Sequence, residues 1–85
     1  MNISIEVSMY PLDRNYLQPI QNYIDRLNQF PGIRVHTNTM STQIFGPYDT
    51  VMQALATANK EAFAEAPTTV FVMKIINANL DPQQA

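Results

Sequence analysis

The chain has no cysteine among its 85 residues, which excludes disulfides, zinc ribbons, iron–sulfur clusters and thiol nucleophiles and leaves redox compartment unspecified. His36 is the single histidine, so one chain cannot build a multi-histidine metal site, and neither a metal nor a cofactor is expected. Glycine is nearly as scarce, at two residues. No glycine-rich loop is present to cradle a phosphate, and Arg14, Arg26 and Arg34 are scattered, so a triphosphate site is not expected. Cations are also few. Five Lys and Arg against seven Asp and Glu give a net charge of −2, without the basic footprint that attracts nucleic acid or an anionic bilayer. The longest apolar run, Val70 to Met73, falls far short of the roughly 20 residues that span a membrane. The first residues carry neither a basic stretch nor an apolar core of a secretory signal, and the expected location is the cytoplasm.

What is present is a foldable mixture, 46 % hydrophobic and 14 % charged, of a length that suits one domain. We expect that domain to span residues 1–78, followed by a loose tail over 79–85. A chain this short buries only about 60–65 % of the surface its unfolded form exposes, so self-association would help it.

Residues 3 to 9 alternate, with Ile3, Ile5, Val7 and Met9 on one side and Ser4, Glu6 and Ser8 on the other, as in a half-buried strand. Leu17, Ile20, Ile24 and Leu27 then recur at helical spacing, with Asn15 a possible N-cap and Pro19 tolerable in the first turn. Phe30-Pro31-Gly32 is a stop and turn, and Ile33 to Thr37 alternates again. Residues 38–45 read as a tight turn and a third strand of open register, since a slip by one exchanges the faces of Met40 and Thr42 with those of Ser41 and Gln43. Gly46-Pro47 closes that strand. Asp49 is a suitable cap for a helix that buries Val51, Leu55, Ala58 and Ala62 and must end at Ala66-Pro67. Thr68 to Ile76 is a fourth strand.

The order β-α-β-β-α-β predicts an α+β fold of the ferredoxin-like type, a four-stranded antiparallel sheet with two helices on one face and strand order 4-1-3-2. Helices then cover Ile3, Ile5, Val7 and Met9, while Ser4, Glu6 and Ser8 look out from the other face. On the fourth strand Val70 and Val72 point outward beside Lys74, an apolar margin from which we infer a partner subunit.

Function is sought on that uncovered face. Glu6 and Lys74 form either a cross-strand ion pair or, with Glu6 partly desolvated under a second subunit, a receptor for a cationic or amine-bearing ligand. The run from Thr37 to Gln43 is either a polar turn or a cluster of neutral donors and acceptors suited to a small heteroaromatic molecule. His36 has the pKa range of an acid or base but no Ser, Cys or acidic partner at a motif spacing, and a surface strand position is the simpler reading. Tyr10, Tyr48 and Phe45 could stack on a flat ring or pack at strand ends, and the methionines are chiefly gap-fillers.

Three blocks, Ile5-Glu6-Val7-Ser8-Met9-Tyr10-Pro11-Leu12, Thr37 to Gly46, and Val70 to Asn77, resemble the thiamine-binding protein family, also called YkoF-like, in order and over nearly the whole chain. That resemblance implies a ferredoxin-like fold, homodimers or homotetramers, and noncatalytic binding of thiamine or its hydroxymethylpyrimidine moiety. The positions matching its motifs are Glu6, Ser8, Asn38, Met40, Ser41, Thr42 and Lys74. The family block often has glycine where this chain has Thr39, a departure that bears on the turn. The rival readings are a small dimeric α+β barrel enzyme using His36 as acid or base, and a structural or regulatory interaction domain docking through its open sheet.

Overall fold

The computed structural model describes residues 1–66 and 68–83. The elements run β1 (Asn2–Pro11), α1 (Leu17–Asn28), β2 (Arg34–Thr37), β3 (Thr42–Pro47), α2 (Tyr48–Glu65) and β4 (Thr69–Ile76). All strand pairs are antiparallel in the order β2-β3-β1-β4, so the expected ferredoxin-like architecture is the observed one. Among the described residues no helix is long and apolar enough to cross a membrane.

The alternation in β1 sorts its side chains as expected. Ile3, Ile5 and Val7 are buried beneath the helices together with Tyr23 and Leu27 of α1, Ile44 of β3, and Val51, Leu55, Ala58 and Ala62 of α2. Burying these side chains is the main source of stability, at about 25 cal/mol for each Å² of apolar surface removed from water. Small residues along α2 let it lie close to the sheet. The Tyr23 hydroxyl donates to Asn59 Oδ1 at 2.7 Å, which ties the two helices together, and burial pushes its phenol pKa well up. Arg26 adds an exposed clamp from α1 to Glu61 and Glu65 of α2.

The capping expectations are corrected. Helix α1 starts after Tyr16 without a side-chain cap, so Asn15 does not cap it, and Pro19 sits in the first turn where a missing N–H costs no helical bond. Helix α2 starts after Pro47, whose extended backbone turns the chain directly from β3, and Asp49 lies inside the first turn, where a carboxylate suits the positive end of the helix dipole. The expected stop at Ala66-Pro67 includes one residue outside those described. Ala66 itself is extended, with φ −111° and ψ 150°, as expected of a residue before proline.

The register left open by the sequence is settled by pairing. Thr42 stands opposite Val7 and Thr37, on the helix side, whereas Gln43 stands opposite Glu6 and His36 on the open side. The β1–β3 ladder stops at the Val7–Thr42 pair, while the β1–β4 ladder runs on to Pro11–Thr69. A step is therefore left at one end of the sheet, where β1 outruns β3.

The tail expectation is corrected as far as residue 83; Gln84 and Ala85 lie outside the described residues. The Ser4 hydroxyl donates to the Ala78 carbonyl at 2.7 Å and accepts the Leu80 amide at 2.8 Å. Asp81, only 2 % exposed, accepts from Arg34 Nε at 2.6 Å and from the Gln83 amide at 3.0 Å. The segment thus roofs one end of the open face, over Ser4 and the buried Phe45, whose ring also lies 5.8 Å from the Arg34 guanidinium carbon. The sequence conceals this because both the Ser4 hydrogen bonds and the Arg34–Asp81 anchor are long-range contacts.

That anchor is pH-dependent in a definite direction. The hydrogen bond from Arg34 holds the Asp81 carboxyl below its ordinary value of 3.8, so the contribution of the pair is complete above that value and is lost as pH falls through the depressed one. Relative to their intrinsic rates, the amides of Leu80, Asp81 and Gln83 are expected to exchange slowly at neutral pH and fast, ahead of those of β1, on strong acidification. An Asp81→Asn variant should show the fast exchange at neutral pH already, and equal protection in both proteins would contradict the anchor.

Candidate functional site

The hairpin between β2 and β3 is shaped by one side chain. Asn38 Oδ1 accepts the amides of Met40 at 2.8 Å and Ser41 at 3.0 Å, while the Asn38 amide donates to the Ser41 carbonyl at 3.1 Å. This is an Asx turn, in which a short carbonyl side chain substitutes for backbone. No non-glycine residue among those described has positive φ, so Thr39 meets no backbone strain and a glycine there is not required.

The turn carries the chain away just where β1 continues, and a hollow of about 200 Å³ opens at the step. Its polar lining comes from Ser8, Thr37, Asn38, Thr39, Ser41 and Thr42, and the Thr37 and Thr42 hydroxyls lie 3.3 Å apart. Ile20, Tyr23 and Ile24 reach it from α1, and Met9, Tyr10 and Met40 complete the wall. Thr42 is the most withdrawn of the polar group at 7 % exposure, whereas Met40 at the rim is 84 % exposed. A flat ring with polar edges is the shape of guest that such a mixed lining accepts.

A second hollow of about 330 Å³ lies mid-sheet on the open face and is lined by Glu6, Gln43, Phe45, Lys74, Ile76 and Leu80, among others. Glu6 Oε1 and Lys74 Nζ are 3.4 Å apart, between largely exposed side chains, so the pair is worth little. The other oxygen, Oε2, accepts the Ser41 hydroxyl at 3.0 Å. Ser41 therefore joins the two hollows.

Residues 5–82 match the model of the thiamine-binding protein family. The chain belongs to that family. No curated protein sequence matches it. Its fold is shared with protein SP2199 of Streptococcus pneumoniae, at TM-score 0.85 and 23 % identity over 94 % of this chain and 90 % of that one. Hypothetical protein MJ1052 of Methanocaldococcus jannascii gives 0.79 and 22 % over 94 % and 84 %. A Thermotoga maritima protein, TM0486, proposed to act in thiamine biosynthesis or salvage, gives 0.85 at 10 % identity over 99 % and 94 %.

In this thiamine-binding family member the seven residues singled out in the sequence fall into two groups. Ser8, Asn38, Met40, Ser41 and Thr42 line the hollow at the step, and Glu6 and Lys74 line the one beside it. Asn38 has a further duty as the turn's scaffold, and its side-chain oxygen is already engaged twice. The sequence placed Thr37 in the hydroxyl-rich run but gave no sign that Ile20, Tyr23 or Ile24 belong to the site. The helical residues carried an ordinary core signal, and only the packing of α1 beside the step distinguishes them from the rest of the core. His36 is exposed on the edge strand opposite Gln43 and lines neither hollow. Among the described residues no three histidine or acidic side chains come together as a metal site would need.

Proposed function

We propose that the chain binds thiamine, or its hydroxymethylpyrimidine moiety alone, in the hollow at the step, without converting it. The observation that carries this reading is the convergence of neutral hydroxyl groups and apolar side chains in one small hollow of a thiamine-binding family member. At about 200 Å³ it is smaller than the usual small-molecule pocket of about 300–1,000 Å³, and so suits one ring rather than two. The pyrimidine enters, and the thiazolium stays outside. Its positive charge is then drawn toward Glu6, which Ser41 holds at the border of the hollow. Tyrosine is the only titratable side-chain type in the lining, which supports binding over catalysis.

The same reading includes self-association in the cytoplasm as a homodimer or homotetramer. Val70, Val72 and Ile76 are exposed on the open face beside Tyr10 and Leu80, and a second copy would remove this apolar surface from water. Titration calorimetry with thiamine and with hydroxymethylpyrimidine is expected to give saturable heat for both, on a species whose mass in solution exceeds one chain. Absence of heat with both ligands would end the proposal.

A further inference from the structure

The side of β1 left open beyond Thr42 has a defined chemical content. In an antiparallel strand the N–H and C=O of one residue point to the same neighbour, and successive residues alternate between neighbours. Two contacts at the ends of β1 fix which is which. The Leu12 amide donates to the Thr68 carbonyl at 2.8 Å, so even-numbered residues face β4; the Met1 carbonyl accepts the Tyr48 amide at 2.9 Å, so odd-numbered residues face β3. Both ladders keep constant register, with no bulge to break this alternation. Ile3, Ile5 and Val7 have partners on β3, whereas Met9 stands opposite no residue of that strand. Pro11, next on the same side, has no N–H to offer. Met9 is thus the one residue of this exposed stretch whose backbone presents both a donor and an acceptor to the step, and it lines the hollow there.

We infer that the Met9 backbone is the edge that reads the ligand, pairing its N–H with a ring nitrogen and its C=O with an adjacent amino group of an aminopyrimidine-type heterocycle. This rests on the vitamin-binding reading above and names the recognition contact within it. The ring lies where the next residue pair of β3 would have been, roughly in the plane of the sheet, with Ile20 and Ile24 on its helix side and the Thr37–Thr42 hydroxyls near its far edge. An extended peptide is the other conceivable occupant of an open strand edge. It is disfavoured because Pro11, with no N–H, halts the ladder after one residue, and the hollow holds only about 200 Å³.

The inference predicts discrimination by hydrogen-bond polarity. In the oxo analogue of hydroxymethylpyrimidine, a ring carbonyl replaces the amino group and the adjacent ring nitrogen gains a proton, so donor meets donor and acceptor meets acceptor. Such mismatches in a withdrawn site weaken binding by at least about 10-fold. The test is titration of the uniformly nitrogen-15-labelled chain with both compounds, followed by calorimetry and amide NMR. The expected result is heat with the amino compound, a downfield shift and slowed exchange of the Met9 amide, and at least about 10-fold weaker binding of the oxo analogue. Heat with an unmoved Met9 amide, or equal affinity for the two compounds, overturns the Met9 assignment and leaves the vitamin reading standing. No heat with either compound, nor with thiamine, removes both.

Discussion

Leu27→Ala is expected to lower the unfolding free energy by about 2–5 kcal/mol, the range for deleting a fully buried leucine side chain when its surroundings relax only in part. Leu27 is 0 % exposed and packs in the same cluster as Ile5, Ile44, Val51 and Leu55, so the void would open where α1, α2 and the sheet meet. Against a total of about 4–13 kcal/mol for 85 residues, this removes a large share of the stability. The comparison is Leu17→Ala on the same helix, where the side chain is exposed and the change should stay within about 0.5 kcal/mol. Urea titration of the two variants checks the difference. Equal midpoints would mean that the buried stripe of α1 had been assigned to the wrong face.

The second large effect concerns the ligand. Thr42→Val keeps the shape of the side chain and removes its hydroxyl, which faces the helix side of the sheet and lies 3.3 Å from the Thr37 hydroxyl in the wall of the hollow. Thr37 is itself exposed and can turn to water, so folding stability should change little. Affinity for hydroxymethylpyrimidine should fall by about 10-fold or more, because a ligand group desolvated in the hollow loses a partner and gains none. Calorimetry gives the affinity, and a parallel urea titration excludes a folding defect. An unchanged affinity would place the ligand's polar edge elsewhere, with the Glu6–Lys74 hollow the next site to consider.

The strand and helix pattern was legible because each element carries its own period. Ile3, Ile5 and Val7 alternate, and Ile20, Ile24 and Leu27 follow a helical stripe, although Leu17 at its start is exposed and the buried Tyr23 was not read as part of it; runs that can bury only one face leave few arrangements for six elements in this order. Helix starts were less legible. Asn15 and Asp49 are good caps by residue type, yet the chain enters α1 at Tyr16 and α2 at Pro47 because the preceding strands and turns deliver the backbone there. The site was half legible: the hydroxyl-rich run from Thr37 to Thr42 announced itself by composition, but its register did not, since Thr42 and Gln43 are both acceptable on either face until β1 pairs with β3.

Local chemistry along the chain therefore determined which segments are strands and helices, which faces are apolar, the lack of thiol chemistry, and the family whose motifs the chain shares. Only the tertiary structure decided where the ladder between β1 and β3 ends, that Met9 faces the resulting gap, and that Asp81 reaches back to Arg34 to hold the last described turn against the sheet. The physical reason is separation along the chain. Period and capping act between near neighbours and leave a trace in the sequence, whereas a gap between two strands and an ion pair spanning most of the domain exist only once distant segments have been brought together.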